Sequence, residues 1–277
     1  MDWGHWASLM FEVAETTPSA DGKTATMRFG RGGFQGAQGG NASNYFIENV
    51  RELLDDVHEF YYDAPTHTLF FHPNSTSAPP AAGSRFFAPM LQTLIRTNAS
   101  QAEPIVGLSI EGIGFRDAAP TFLHPHAVPS GGDWTLSRTA ALFFVGTRGL
   151  SLSNCTFERN DGNAIMLSGF NRLAKIARNE VRWNGGTAIV LWGQTDMTSD
   201  NGTHGWNATS GDFPRYCEVS GNLIYEPGTW EKQSSCSFSA LSAQNNYTGN
   251  VCFNLPRAGF EFNGASTLFL VSLLGPF

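Results

Sequence analysis

Apolar residues alternate with variable residues in short runs that recur about every 24 positions along the chain. Residues 161–169 and 185–193 align position by position at this offset. In each run two apolar positions flank one whose side chain varies, which is the period-2 pattern of a strand with one buried face. The register extends outward and predicts two neighbouring inward columns, the first at Leu142, Ile165, Ile189, Cys236 and Phe260, the second at Phe144, Leu167, Leu191, Phe238 and Phe262.

Two more strand columns and one turn position repeat with the same spacing. One column runs through Ile110, Leu152, Ile176 and Val219, and the other through Phe115, Phe157, Val181, Ile224 and Cys252. Asn179, Asn222 and Asn250 recur at a turn, where Asn tolerates left-handed backbone or can ladder its amide between coils. Short strands in stacked repeats predict an all-β, right-handed parallel β-helix with coils about 4.8 Å apart. A β-sandwich would not place similar residues in register.

The repeat does not extend over the whole chain. Residues 1–75 alternate without the 24-residue period, and we expect a β-rich segment appended to or inserted in the solenoid. Residues 76–100 read as a linker with the first strands, and residues 101–263 as the coils. From 264 to 277 the turn residues stop and an uncharged apolar tail follows. Thr267 to Leu274 are therefore expected to form a stray strand or to lie loosely across the open end.

Composition narrows the class of protein. Charged residues are 15% of the 277, Gly occurs 30 times and the net charge is −7. This profile suits short strands joined by turns, and the acidic balance without a basic run argues against nucleic acid as a partner. No apolar stretch approaches the roughly 20 residues that span a bilayer. We therefore expect neither a nucleic-acid partner nor a membrane span.

The Asn-x-Ser/Thr pattern is more frequent than chance, which would give about three occurrences. The asparagines are Asn41, Asn74, Asn98, Asn154, Asn201, Asn207 and Asn246. This excess predicts a secreted, glycosylated protein, although residues 1–6 lack the features of a signal peptide. Four cysteines fit disulfides or packed thiols, and three pairings are open. No Cys or His spacing predicts zinc.

Several segments resemble a known superfamily. They are residues 51–55, 59–63 and 68–73, then 128–134, 161–164, 231–235 and 256–260. In this order they resemble large right-handed β-helix repeat proteins of the pectate-lyase-like superfamily, whose known activities are largely glycoside hydrolysis and polysaccharide lysis. The resemblance implies the fold strongly and the reaction weakly. Because relatives continue beyond both ends, the chain resembles a fragment.

Chemistry in a β-helix is carried by inserted loops rather than by the strands. Insertions follow the column that contains Phe157, and one more follows the strand at Ile189. Glycosidic cleavage needs one carboxyl group as acid and another as base or nucleophile. The candidate catalytic residues are Asp133, Asp161 and Glu231. Asp161 and Glu231 should lie about two rungs, or roughly 10 Å, apart, which favours an inverting mechanism.

Aromatic, histidine and basic residues in the same loops are candidates for substrate binding. They are His124, His126, Trp134, Trp192, Trp230, Lys232 and Arg257. Simpler structural roles are open for each kind of residue. Asp161 and Asp133 suit turns, Glu231 can pair with Lys232, and the two histidines can pack within their loop.

The leading functional hypothesis is a glycoside hydrolase acting on a polysaccharide, with no cofactor and no metal site. One alternative is a polysaccharide lyase, for which the resemblance implies Ca²⁺ and a basic side chain. Another is a non-catalytic carbohydrate-binding or surface protein, or an inactive fragment.

Overall fold

The computed structural model describes residues 8–33, 45–73, 79–127, 134–194 and 209–271, with side chains up to residue 263. The chain divides into two compact units. The smaller, residues 44–88, contains a 3-10 turn at Arg51–Leu53 and an antiparallel hairpin. The hairpin strands are β3 (Phe60–Asp63) and β4 (Thr68–Phe71).

The larger unit opens with an antiparallel hairpin of β1 (Phe11–Pro18) and β2 (Ala25–Gly32) and continues as a parallel β-helix. Its first column contains β5 (Ile95–Arg96), β11 (Leu142–Phe144), β15 (Ile165–Ser168) and β19 (Ile189–Trp192). Its second column contains β6 (Ile105–Val106), β12 (Thr147–Arg148), β16 (Asn171–Arg172) and β20 (Pro214–Arg215).

The third column contains β7 (Ser109–Glu111), β13 (Ser151–Ser153), β17 (Lys175–Ala177) and β21 (Glu218–Ser220). The fourth contains β8 (Gly114–Arg116), β14 (Thr156–Glu158), β18 (Glu180–Arg182), β22 (Leu223–Tyr225) and β24 (Val251–Phe253). The long strand β23 (Ser235–Thr248) passes through the first three columns, and β25 (Ala258–Val271) pairs along it. A short antiparallel pair, β9 (His126–Ala127) and β10 (Leu136–Ser137), lies in the insertion before β11. The predicted all-β parallel β-helix is confirmed.

Each coil turns at four corners, and a residue with left-handed backbone occupies most of them, with φ between 50° and 74°. Such a φ is easy for Gly and costly for large side chains. The first corner has Gly146, Gly169 and Leu241, and the second has Gly107, Gly149, Leu173, Tyr216 and Gln244. The third corner has Gly112, Asn154, Arg178, Gly221 and Gly249, and the fourth has Asp117, Arg159, Trp183, Glu226 and Asn254.

A ladder of buried asparagines stacks just after the third corner. Asn179 Nδ2 donates to Asn222 Oδ1 at 3.0 Å, and Asn222 Nδ2 donates to Asn250 Oδ1 at 2.9 Å. The left-handed residue is the one before each Asn. Of the two roles predicted for these asparagines, the structure therefore shows the amide ladder between coils.

The inward columns form one apolar core, and most of the predicted register is confirmed. Ile165, Leu167, Ile189 and Leu191 are fully buried and stack in register, and the partly buried Phe260 and Phe262 pack against them. The third and fourth columns pair as predicted from Ile110 to Val219 and from Phe115 to Cys252.

The predicted register is wrong by one residue in β23. Ser237 and Ser239, rather than Cys236 and Phe238, lie opposite Ile189 and Leu191. Phe238 pairs with Val190 and joins the second apolar cluster, on the other face of the sheet. The small serines leave space inside the coil, and the buried ring of Tyr247 packs there, edge-on to Phe260 and Phe262.

The cysteines take two of the roles left open by the sequence. Cys236 and Cys252 form a disulfide between β23 and β24, within the core. Cys155 and Cys217 are buried thiols, and burial raises the pKa of Cys217 to about 11. A thiol with this pKa is a packing group rather than a nucleophile at neutral pH.

Parallel pairing continues beyond the point where the side-chain pattern predicts that coils stop. Asn263 lies opposite Ala240, and the pairing with β23 extends to Val271 opposite Thr248. Backbone hydrogen bonds alone can continue a ladder, because every non-proline residue has a donor and an acceptor. Within the described ranges, no helix is long and apolar enough to cross a membrane.

Candidate active site

The outward face of the first column is covered rather than open. Phe143, Met166 and Val190 point away from the core and form a second apolar cluster under Trp134 and Leu136 from the insertion before β11. A flat, accessible sheet face is therefore absent at this cluster, and side chains that meet solvent must come from the turns beside it.

Two of the tryptophans predicted to bind substrate belong to this cluster. Trp134 and Trp192 are each 1% exposed. Trp134 stacks on Phe238 with ring centroids 5.8 Å apart and is covered by the Arg257 guanidinium at 4.4 Å. The Arg138 guanidinium lies 3.7 Å from the Trp192 ring. Neither indole presents a face to a sugar ring, since both serve the packing of this cluster.

The turns that precede the first-column strands stack directly on one another. Gly185 N donates to Asn160 O at 2.8 Å, and Glu231 N donates to Gly185 O at 2.9 Å. The backbones at Asp161 and Glu231 are therefore two rungs apart, the spacing predicted from the repeat. The rung between them contains Gly185 and Gly186, which bring no side chain of their own to this position. A Cβ on Gly186 would lie 3.0 Å from Glu231 Oε2.

Asp161 is held by Trp230, which reaches back across the glycine rung. Trp230 Nε1 donates to Asp161 Oδ1 at 2.9 Å, and the indole packs against Phe122 with ring centroids 5.9 Å apart. Burial raises the pKa of Asp161 above that of an ordinary aspartate, against the opposing effect of the indole hydrogen bond. A carboxyl group with a raised pKa keeps its proton at higher pH, as a general acid requires.

Glu231 forms a nearly buried pair with His126. His126 Nε2 lies 2.7 Å from Glu231 Oε1, and the two side chains are 6% and 12% exposed. His126 Nδ1 lies 2.8 Å from the carbonyl oxygen of His124, which can only accept, so Nδ1 bears a proton. Burial opposes a charge on His126, but the adjacent Glu231 carboxylate outweighs it and raises the pKa of the imidazole. The pair therefore favours the imidazolium form of His126.

The His126–Glu231 pair lines a small depression with Ser8, Phe122 and Gln233. About 10 Å³ is free inside it, roughly the room for one water molecule. Ser8 stabilises the turn that contains Glu231. Its Oγ donates to Trp230 O at 2.7 Å and accepts from Lys232 N at 3.1 Å. Ser8 is 222 residues from Trp230, and no pattern in the sequence signals this contact.

The remaining predicted residues are in varied positions. Asp133 lies outside the described residues. Lys232 is exposed, and His124 contributes its backbone carbonyl to the histidine pair. Arg257 covers Trp134 and is not placed in the His126–Glu231 depression. In the part of the chain that the structure describes, no three His, Cys, Asp or Glu side chains are grouped to hold a metal ion.

The histidine pair predicts a pH-dependent stability. The folded pKa of His126 is raised, so its stabilising effect is fully present below the unfolded pKa of about 6.5 and is lost as pH rises through the folded pKa. The free energy of unfolding lost in His126→Gln, measured in urea, should therefore be larger at pH 5.5 than at pH 9. Glu231→Gln should show the same trend, because it removes the same pair. Equal losses at both pH values would contradict the ion pair.

Comparisons with known proteins support the fold. No protein-family model matches the sequence, and no curated protein matches it. A solved structure described as a glycoside hydrolase matches with a TM-score of 0.57 and 16% sequence identity. The match covers 76% of this chain and 40% of that one, so this chain spans less than half of that protein's length. At this identity the similarity shows a shared fold.

Proposed function

We propose that the chain is the β-helix of a carbohydrate-active enzyme, a glycoside hydrolase that acts on a polysaccharide. The observation that carries the proposal is a pair of carboxyl groups in unlike environments, on turns that are stacked two rungs apart. Burial raises the pKa of Asp161 and favours its protonated form, whereas the Glu231 carboxylate is held 2.7 Å from His126 Nε2. Two carboxyl groups in different environments, one of them with a raised pKa, are what acid and base roles require.

In the proposed mechanism Asp161 donates its proton to the glycosidic oxygen of the leaving sugar. Glu231 takes a proton from a water molecule on the opposite side of the sugar ring, and this water attacks the anomeric carbon. His126 is a positioning residue, since it holds the Glu231 carboxylate without reaching the substrate. Two rungs separate the backbones by roughly 10 Å, which leaves room for the water and favours inversion of the anomeric centre.

Because the depression has room for only about one water molecule, we propose that the sugar lies beside it rather than inside it. A chain could lie along the turn that contains the partly buried Trp230 and the exposed Lys232. The shared fold with a glycoside hydrolase supports the general assignment to carbohydrate. Asn98, Asn154 and Asn246, the described asparagines of the predicted glycosylation sites, are exposed, which supports a secreted protein.

The test is incubation of the purified chain with a panel of neutral and acidic polysaccharides. We expect new reducing ends, and NMR of the first products should show the anomeric configuration opposite to that of the substrate. Retention would assign Glu231 as a nucleophile. Unsaturated products that absorb in the ultraviolet would identify a lyase instead. Binding without any products across the panel would identify a carbohydrate-binding protein.

A further inference from the structure

Three arginines occupy the same position on successive rungs of the second column. Arg148 lies opposite Arg172, and Arg172 lies opposite Arg215. Val106 and Ala243 occupy the rungs before and after them. The set, here called the arginine ladder, lies after the first-column strands, whereas Asp161 and Glu231 lie before them. It is therefore a surface distinct from the candidate active site.

The arginine ladder has no internal counter-charge among the residues that the structure places. None of its guanidinium groups comes within 4.0 Å of a described carboxylate. The arginines of the fourth column differ, since Arg182 pairs with both Glu158 and Glu180. Like charges on neighbouring strands are destabilising, and rungs are only about 4.8 Å apart.

The arginines at the two ends of the ladder have N–H groups that can donate hydrogen bonds to a ligand. Arg172, in the middle, is engaged with the backbone carbonyls of Gly211 and Phe213. Arg215 donates from Nε to Gln244 Oε1 at 2.6 Å, and its guanidinium lies 4.6 Å from the centre of the Tyr216 ring. Its terminal amino groups make no hydrogen bond to a described residue. Arg148 is exposed, and its side chain makes no hydrogen bond to any described residue.

Apolar side chains accompany the ladder at the adjoining corner. Leu173 follows Arg172 and is 58% exposed, and Tyr216 follows Arg215 and is 47% exposed. Both adopt left-handed backbone at φ 55° and 59°, a conformation that is costly for side chains of this size. Guanidinium groups beside exposed apolar surface complement a ligand that presents oxyanions and ring faces together.

We propose that the arginine ladder binds an acidic polysaccharide that lies along the solenoid axis, with its oxyanions on Arg148 and Arg215. This inference rests on the proposed function, because it assigns the substrate class of the same chain. Carboxylate and sulfate groups share the required chemistry, since either can accept two parallel hydrogen bonds from a guanidinium. A regular series of anions on one chain matches regularly spaced cations on successive rungs.

The test is binding to polygalacturonate, dextran sulfate, neutral dextran and single-stranded DNA in affinity electrophoresis. All proteins tested contain Asp161→Asn so that the polymers stay intact. Arg148→Gln/Arg215→Gln should weaken binding to at least one of the acidic polymers by about 10–100-fold. The control is Arg85→Gln/Arg178→Gln, which removes the same charge from exposed positions elsewhere and should change binding little. Arg172 is left intact because it supports the backbone.

The outcomes separate this inference from the proposed function. A loss with polygalacturonate identifies carboxylates as the ligand groups, and a loss confined to dextran sulfate identifies sulfates. Equal losses in the control variant, or an equal loss of binding to neutral dextran or to single-stranded DNA, would overturn the inference. So would unchanged binding to both acidic polymers. If the wild-type chain cleaves nothing but the ladder variant still loses binding, the proposed hydrolase fails and the arginine ladder stands.

Discussion

Replacement of Asp161 by Asn is expected to lower the rate of glycosidic cleavage by about 10²–10⁴-fold, the usual contribution of a general acid. The substitution preserves shape, and the Asn oxygen can still accept the hydrogen bond from Trp230 Nε1. The amide has no acidic proton to give to the leaving oxygen. The rates should be measured on the natural polymer and on aryl glycosides with increasingly acidic leaving groups.

The aryl series separates loss of the acid from loss of the fold. A good leaving group needs little protonation, so Asp161→Asn should recover much of its activity on the most acidic phenols. Glu226→Gln is the matched control, because Glu226 is a partly exposed acid on the same side of the solenoid whose carboxylate accepts from Asn254 Nδ2. If Asp161→Asn cleaves the polymer at the wild-type rate, the acid lies elsewhere.

Leu191→Ala should lower the free energy of unfolding by about 2–5 kcal/mol. Leu191 is fully buried and stacks between Leu167 on one rung and Ser239 on the next. The loss combines the transfer of the removed methyl groups to water with the cavity that they leave. Fixed backbone pairing on both sides limits how far the coils can close over it.

Urea unfolding of Leu191→Ala and Leu223→Ala tests this prediction. Leu223 is on the outward side of the fourth column and is 39% exposed, so its truncation should cost much less, about 0.5 kcal/mol. Equal losses for the two variants would mean that Leu191 does not face a shared core, and the register of the first column would have to be changed.

Most of the fold could be predicted because stacked coils put equivalent residues in equivalent surroundings. The fourth column from Phe115 to Cys252 is an example, since each inward position demands an apolar side chain of suitable size. The predicted register was wrong at β23. Alternation there allows either Cys236 and Phe238 or Ser237 and Ser239 to face inward, and apolarity favoured the first pair. What decides between them is the buried ring of Tyr247, which needs the space beside small serines.

The candidate site was less predictable than the fold. Counting coils gave the two-rung spacing of Asp161 and Glu231, because rung height is a property of β-structure. The pairing of His126 with Glu231 joins positions 105 residues apart and has no local pattern. Trp134 satisfies the requirements of a sugar platform and of a core equally well, and burial shows that it is used for packing. The stacking of Arg148 on Arg172, by contrast, follows from the repeat, because the two residues are 24 positions apart in the sequence.

The corners of the coil also determine where the chain can be lengthened. One insertion follows the first-column strand β19, and its two ends are joined where Gln194 N donates to Asp212 O at 2.7 Å. The long excursion before β11 leaves beyond the fourth corner, and β11 still stacks in register. The solenoid is therefore a scaffold onto which loops can be grafted at the corners. Loops transplanted onto neighbouring coils would be held about 4.8 Å apart. The stacking of the coils sets this spacing, so it does not depend on the sequences of the loops.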